Sequence, residues 1–142
     1  MNVFISKDQC VLPMLLSANH TVSMVAITKF HMVSFHPRMT VERLALASGI
    51  YIDTKRKPYQ RPFTDIAQEV KSAGSELYEF NTSWKRPCGY ECPELLRATR
   101  TNIGLFNWSG DGLDVVVAAW QHSDVQWAIG STCQNPHCAV NA

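Results

Sequence analysis

The spacing of apolar residues changes several times along the chain, and each change predicts a different element. Within His20–Pro37, apolar and polar positions alternate among β-branched and aromatic residues, which predicts a β-hairpin with strands near 22–28 and 31–35. The next segment, Met39–Gly49, has apolar residues at helical spacing, Thr40 as a candidate N-cap and a glycine at its end. This segment therefore predicts a helix.

The second half of the chain predicts further helices and strands. They are a helix over Phe63–Gly74, a strand over Glu76–Trp84, a helix that begins with Pro93, a strand over Ile103–Trp108 and two strands within Leu113–Ser131, the first of which could instead be a helix. Strands separated by helices favour one sheet covered by helices. We therefore expect an α/β fold, and the length of 142 residues suits a single domain over residues 1–142.

Composition narrows the class of protein. The chain is 46% hydrophobic and 18% charged, which provides enough apolar surface for a core and too little charge for disorder. The net charge of +1 indicates no global attraction to nucleic acid or membranes. No run of about 18 apolar residues occurs, so we expect no membrane span. The apolar segment Cys10–Ala18 contains a proline and lacks a basic lead-in, so we interpret it as part of a cytoplasmic domain rather than a signal peptide.

The cysteines carry the candidate chemistry. There are five of them, and an odd number argues against a closed disulfide framework. Cys88 and Cys92 lie in FNTSWKRPCGYECPELL, directly before the helix predicted from Pro93. They could form a disulfide, hold a metal or fill the core as small thiols. The positive end of a helix would favour the thiolate, which is the form that zinc binds.

A second close pair, Cys133 and Cys138, lies in the segment CQNPHC. This pair could complete a four-ligand site with the first one, which would make the metal structural and its site closed. It could also form a disulfide or belong to an unstructured end. The sequence leaves these alternatives open.

Two short motifs resemble the zinc-dependent cytidine and deoxycytidylate deaminase superfamily, whose signature is H-x-E followed by P-C-x-x-C. PCGYEC matches the second half with one additional residue between the cysteines, and TVERLALASG is similar to the family's first zinc helix. The resemblance implies a three-layer α/β domain with a mixed sheet of about five strands. It also implies that Cys88 and Cys92 hold Zn²⁺ and that Glu42 moves protons in the hydrolytic deamination of a cytosine-type base.

The chain departs from this family at the first zinc ligand, where Thr40 replaces the expected His or Cys. His36 lies four residues upstream, and its neutral imidazole is the candidate replacement ligand. The expected partner is a nucleoside or single-stranded nucleic acid, without a membrane, and the oligomeric state is left open. The alternative function is an inactive binding or inhibitory protein on the same fold, or a zinc-stapled interaction module.

A basic run, Lys55–Arg61, surrounds Tyr59. It could follow a phosphate backbone while Trp84 or Tyr90 stacks on a base. A solvated loop is the simpler interpretation of the run, and we adopt it.

Overall fold

The computed structural model describes residues 12–49, 62–108 and 114–139. Within these ranges the chain is mixed α/β, with short elements throughout. The α-helices are α1 Leu12–Leu16, α2 Pro37–Glu42, α3 Phe63–Ser72, α4 Thr99–Asn102 and α5 Val115–Gln121. The strands are β1 Val25–Ile27, β2 His31–Ser34, β3 Leu44–Leu46, β4 Glu76–Tyr78, β5 Arg97–Ala98, β6 Gly104–Asn107 and β7 Gln126–Trp127. None of the described helices is long and apolar enough to cross a membrane.

These strands form three small sheets rather than the expected single sheet of about five strands. The first sheet is antiparallel in the order β1-β2-β6, and Val33 faces Ala26 on one side and Leu105 on the other. The second sheet is the parallel pair β3-β4. The third is the antiparallel pair β5-β7. The mixed α/β class is therefore confirmed at this coarser level.

Three of the predicted elements are confirmed in place. The hairpin forms from β1 and β2, and its first strand is shorter than predicted because Thr21–Ser23 makes a 3-10 turn. Helix α3 lies within the predicted helix Phe63–Gly74. Strand β6 lies within the predicted strand Ile103–Trp108.

The helix predicted over Met39–Gly49 is wrong in its second half. Helix α2 begins at Pro37 and ends at Glu42, where Arg43 takes the left-handed conformation with φ of 57°. The following residues form β3, because β4 supplies a parallel partner and the side chains of Ala45 and Leu46 are buried. A short apolar run does not by itself distinguish a buried strand from a helix.

The helix predicted from Pro93 is also wrong. The chain turns after Cys92, and β5 and the short α4 follow. Arg97 is buried beside Glu91, with Nη2 3.6 Å from Oε1, while Leu95 and Leu96 are exposed. This tertiary ion pair, together with the pairing of β5 with β7, overrides the local helical pattern.

Two further predicted strands are corrected in part. The strand expected over Glu76–Trp84 is limited to β4. Of the two strands expected within Leu113–Ser131, the first is the helix α5, which was the stated alternative, and the second is β7. Asp114 caps α5, since its Oδ1 accepts the N–H of Val117 at 3.2 Å.

Aromatic packing organises the largest described core. The Phe35 ring lies 5.2 Å from the Trp127 ring and 5.7 Å from the Trp120 ring, so it joins the hairpin sheet to β7 and α5. Leu12 and Leu15 of α1 are buried in the same core. A smaller cluster of Met39, Leu46 and Ile129, beside the half-buried Trp84, connects the core to the cysteines.

Gly104 marks a close approach between β6 and α2. A Cβ atom at this position would overlap the Cβ atom of Pro37 and lie 3.0 Å from its Cγ atom. We expect Gly104→Ala to lower the free energy of unfolding by about 1–3 kcal/mol, because the two elements would have to separate. Urea denaturation measures this change. Leu105→Ala, at the next and partly exposed position, is the control, and a Gly104→Ala variant as stable as wild type would contradict the packing.

Candidate metal centre

Four cysteines meet in one buried cluster. The sulfur atoms of Cys88, Cys92, Cys133 and Cys138 all lie within 4.8 Å of one another, and each residue is at most 5% exposed. Cys88 Sγ is 3.7 Å from Cys133 Sγ, and Cys92 Sγ is 3.9 Å from Cys138 Sγ. Both distances far exceed a disulfide bond of about 2.05 Å. Neither pair is joined by a disulfide, and the four thiols form a group that could hold a metal ion.

Two tight turns present these sulfurs. Cys88 and Cys92 flank the 3-10 turn Gly89–Glu91, which the positive φ of Gly89 permits. In the second turn, Asn135 folds the chain back, because its carbonyl accepts the N–H of Cys138 at 3.1 Å and its side-chain Oδ1 accepts the N–H of His137 at 2.9 Å. Spacings of three and four residues within a pair are usual for metal-binding cysteines.

Two buried asparagines direct N–H groups at the sulfurs. Asn81 Nδ2 donates to Cys88 Sγ at 3.2 Å and to Cys133 Sγ at 3.3 Å, and Asn135 Nδ2 donates to Cys88 Sγ at 3.1 Å. Both side chains have no exposed surface. Such donors stabilise charge on metal-bound sulfur and orient the ligands. Neither asparagine was among the candidate site residues predicted from the sequence. For Asn135, the position between two cysteines in CQNPHC was an available signal.

Burial controls the protonation of the thiols. Burial raises the pKa of Cys88 to about 11 and that of Cys92 to about 12, while a backbone N–H from Glu94 lowers the Cys92 pKa in part. In the absence of a cation these thiols are therefore neutral at pH 7. A metal ion must displace their protons in order to bind.

His36 lies outside this cluster. It is fully buried, with Nδ1 3.2 Å from Glu91 Oε2 and with Nε2 accepting the Trp127 indole N–H at 3.5 Å. Burial lowers the pKa of His36, which opposes its protonation. Among the described residues, the group that could hold a metal ion consists of the four cysteines and does not include His36.

Glu42 is held by two arginines at the surface. Its carboxylate accepts a hydrogen bond from Arg86 Nη2 and lies 3.5 Å from Arg38 Nε. The hydrogen bond from Arg86 is the main cause that lowers the pKa of Glu42, which makes it a weaker base. Thr40, at the position of the family's first ligand, accepts the Ser34 hydroxyl and donates to the carbonyl of His36.

A cavity of about 260 Å³ adjoins the cluster. Cys88 and Glu42 both line it, so the structure brings these two predicted site residues to the same cavity without placing the carboxylate in the sulfur cluster. The other lining residues are Arg38, Met39, Leu44, Tyr78, Ser83, Trp84, Lys85, Arg86, Pro87 and Glu91.

The remaining candidates differ in accessibility. Tyr90 is 77% exposed at the tip of the first cysteine turn, whereas Trp84 is half-buried against the cysteines. The basic run Lys55–Arg61 and Cys10 lie outside the described residues.

Comparisons with known proteins found no match: no family model matches the chain, nor does any curated protein or solved structure. The buried cysteine cluster is compatible with a zinc-binding fold, and it is the part of the sequence resemblance that the structure supports.

The four-cysteine geometry makes the second pair as important as the first. We expect Cys133→Ser to lose bound metal to the same extent as Cys88→Ser, because either change removes one of four ligands. Elemental analysis of the purified variants measures the loss. Cys10→Ser, which changes the fifth cysteine, is the matched control, and full metal content in Cys133→Ser would contradict the four-ligand site.

The raised thiol pKa values predict how metal binding depends on pH. Without a metal, the thiols of Cys88 and Cys92 carry protons below pH values of about 11 and 12, respectively, and metal binding must release these two protons. We therefore expect the apparent metal affinity to rise with pH between pH 6 and 8, with about two or more protons released per ion. Competition with a chelator whose own pH dependence is known measures this, and a pH-independent affinity would be inconsistent with neutral buried thiols.

Proposed function

We propose that this chain is a binding module stapled by one Zn²⁺ ion, which four cysteine thiolates hold in a closed structural site. The observation that carries the proposal is the sulfur geometry. A tetrahedral ion with Zn–S bonds of about 2.3 Å requires neighbouring sulfurs roughly 3.8 Å apart. Two of the six sulfur–sulfur separations, 3.7 Å and 3.9 Å, match that requirement, and all six lie within 4.8 Å.

The chemistry of the ligands favours zinc over other common ions. Four sulfur ligands in tetrahedral arrangement select zinc or iron–sulfur chemistry, while calcium and magnesium prefer oxygen. The asparagine N–H groups reduce the charge density of four thiolates around one divalent ion. A set of four protein ligands leaves no position for a substrate, which is the arrangement of structural zinc sites.

The ion would join segments that are distant in sequence. The two cysteine pairs are separated by about forty residues, and the described sheets are small. A cross-link that closes a long loop lowers the entropy of the unfolded chain and so stabilises the folded one. The role proposed for the ion is therefore to hold these two segments of the chain together.

Hydrolytic deamination of a cytosine-type base, on a three-layer deaminase fold, stays a prediction of the sequence. It requires an open position at the metal and a proton-transferring group beside it. The four sulfur ligands and the pairing of Glu42 with two arginines weigh in favour of the binding module.

Zinc content, folding and activity can be tested on one preparation. We expect about one zinc per chain, loss of the cooperative thermal transition after chelation, and no uracil from cytidine or from a cytosine-containing single strand. Glu42→Gln is the control, and it should retain both zinc and the transition.

Two outcomes would contradict the proposal. The first is a zinc-free protein that still unfolds cooperatively. The second is uracil formation by the wild type that disappears in Glu42→Gln, which would establish the deaminase instead.

A further inference from the structure

The cavity beside the cysteine cluster is lined by two kinds of residue. Five are apolar or aromatic, namely Met39, Leu44, Tyr78, Trp84 and Pro87. Five are charged, namely Arg38, Lys85, Arg86, Glu42 and Glu91. A lining of apolar and aromatic side chains with a few charges suits an organic ligand better than a bare ion.

The charges of the cavity do not cancel. Glu91 is buried and faces His36 and Arg97, so it is already engaged on the side of the core. Glu42 is shared between Arg38 and Arg86. The three cations of the lining therefore exceed the two carboxylates, and the excess lies at the solvent side, where Lys85 and Arg86 are exposed.

We propose that this cavity binds a small organic anion in which a flat ring carries one carboxylate or phosphate group. The ring of the ligand packs on the side chains of Trp84 and Tyr78. Its anionic group takes the place beside Arg38 and Arg86 that the Glu42 carboxylate now occupies. The proposal rests on the binding module described above, because Trp84 packs against the four cysteines.

The size of the cavity limits the ligand. Its volume of about 260 Å³ lies just below the range of about 300–1,000 Å³ that holds drug-sized molecules. A single ring with one charged substituent fits this volume. Arginine is suited to the anionic group, since its planar guanidinium can donate two parallel hydrogen bonds to a carboxylate or phosphate.

Two arginines that line the cavity contact the segments that carry the cysteines. Arg38 Nη1 lies 3.5 Å from the carbonyl of Cys88, and the carbonyl of Arg86 accepts a hydrogen bond from Asn135 at 2.7 Å. Both arginines are therefore positioned by the segments that carry the cysteines. Metal removal is expected to abolish ligand binding together with the cysteine geometry.

The indole N–H signal of Trp84 provides the readout in a nuclear magnetic resonance titration, and its absence in Trp84→Phe assigns it among the four tryptophans. The probes are phenyl phosphate and phenylacetate. Inorganic phosphate tests the anion alone, and benzylamine tests a ring with the opposite charge. We expect both aromatic anions to shift the Trp84 signal at concentrations about tenfold below those at which either comparator does.

Three variants locate the anionic group. Arg86→Gln keeps the main-chain contact to Asn135 and should weaken phenyl phosphate about fivefold, whereas Glu42→Gln should strengthen it because a competing carboxylate is gone. Arg100→Gln is the matched control, since Arg100 is also an exposed arginine in an ion pair, with Asp124, and does not line the cavity. It should leave the affinity unchanged.

A nucleoside monophosphate added to the same titration distinguishes a nucleotide source of the ligand from an aromatic carboxylate. Absence of any Trp84 shift with the aromatic anions would overturn the inference, as would equal shifts with benzylamine or an unchanged affinity in Arg86→Gln. Zinc content is measured on each sample. A zinc-loaded protein that binds no aromatic anion would refute the ligand and leave the module intact, whereas a zinc-free protein that binds one would refute the module and its coupling to the cavity while leaving the ligand.

Discussion

The convergence of four buried sulfur atoms holds together parts of the chain that local structure does not join. Each cysteine turn is short, and neither belongs to a long helix or a large sheet. The four thiols are buried together, and burial is the dominant influence on the protonation of Cys88 and Cys92. A divalent ion bound by the four sulfurs would form a charged and directional cross-link, and two asparagine side chains already donate N–H groups to Cys88 and Cys133.

Glu91 links the cysteine turn to the aromatic core. It lies between Cys88 and Cys92 in sequence, yet its carboxylate points inward to His36 and Arg97. Arg97 in turn lies 5.8 Å from the Trp127 ring and donates to the carbonyl of Tyr90. Removal of one partner from a buried ionic network leaves an uncompensated charge, which destabilises a protein by about 3–5 kcal/mol. The turn that presents two sulfurs is therefore fixed from the core side as well as from the sulfur side.

Sequence patterns predicted the elements whose determinants are local and failed where the deciding partner is distant. Helix α3 was recoverable because Ile66 and Val70 lie one turn apart on a face that packs on β4. Strand β3 was mistaken for a helix since its partner, β4, lies some thirty residues further along the chain. The first cysteine pair was identified from its spacing, and the tail pair was recognised as a possible completion of the site. The asparagine N–H groups at the sulfurs and the pairing of Glu42 with Arg86 could not be predicted. No pattern in the sequence indicates which side chains meet when more than forty residues separate them.

Because the two cysteine pairs are far apart in sequence, the first pair is synthesised well before the second. The sulfur partners of Cys88 and the strand partner of β5 both come from residues 126–138. A ribosome adding roughly 5–20 residues per second exposes the first pair for several seconds before the second pair follows. During that interval Cys88 and Cys92 are two neighbouring thiols without their buried surroundings, and they are open to oxidation or to capture of an ion by an incomplete ligand set. The length of the intervening segment thus sets how long the first pair is exposed before the second pair can reach it.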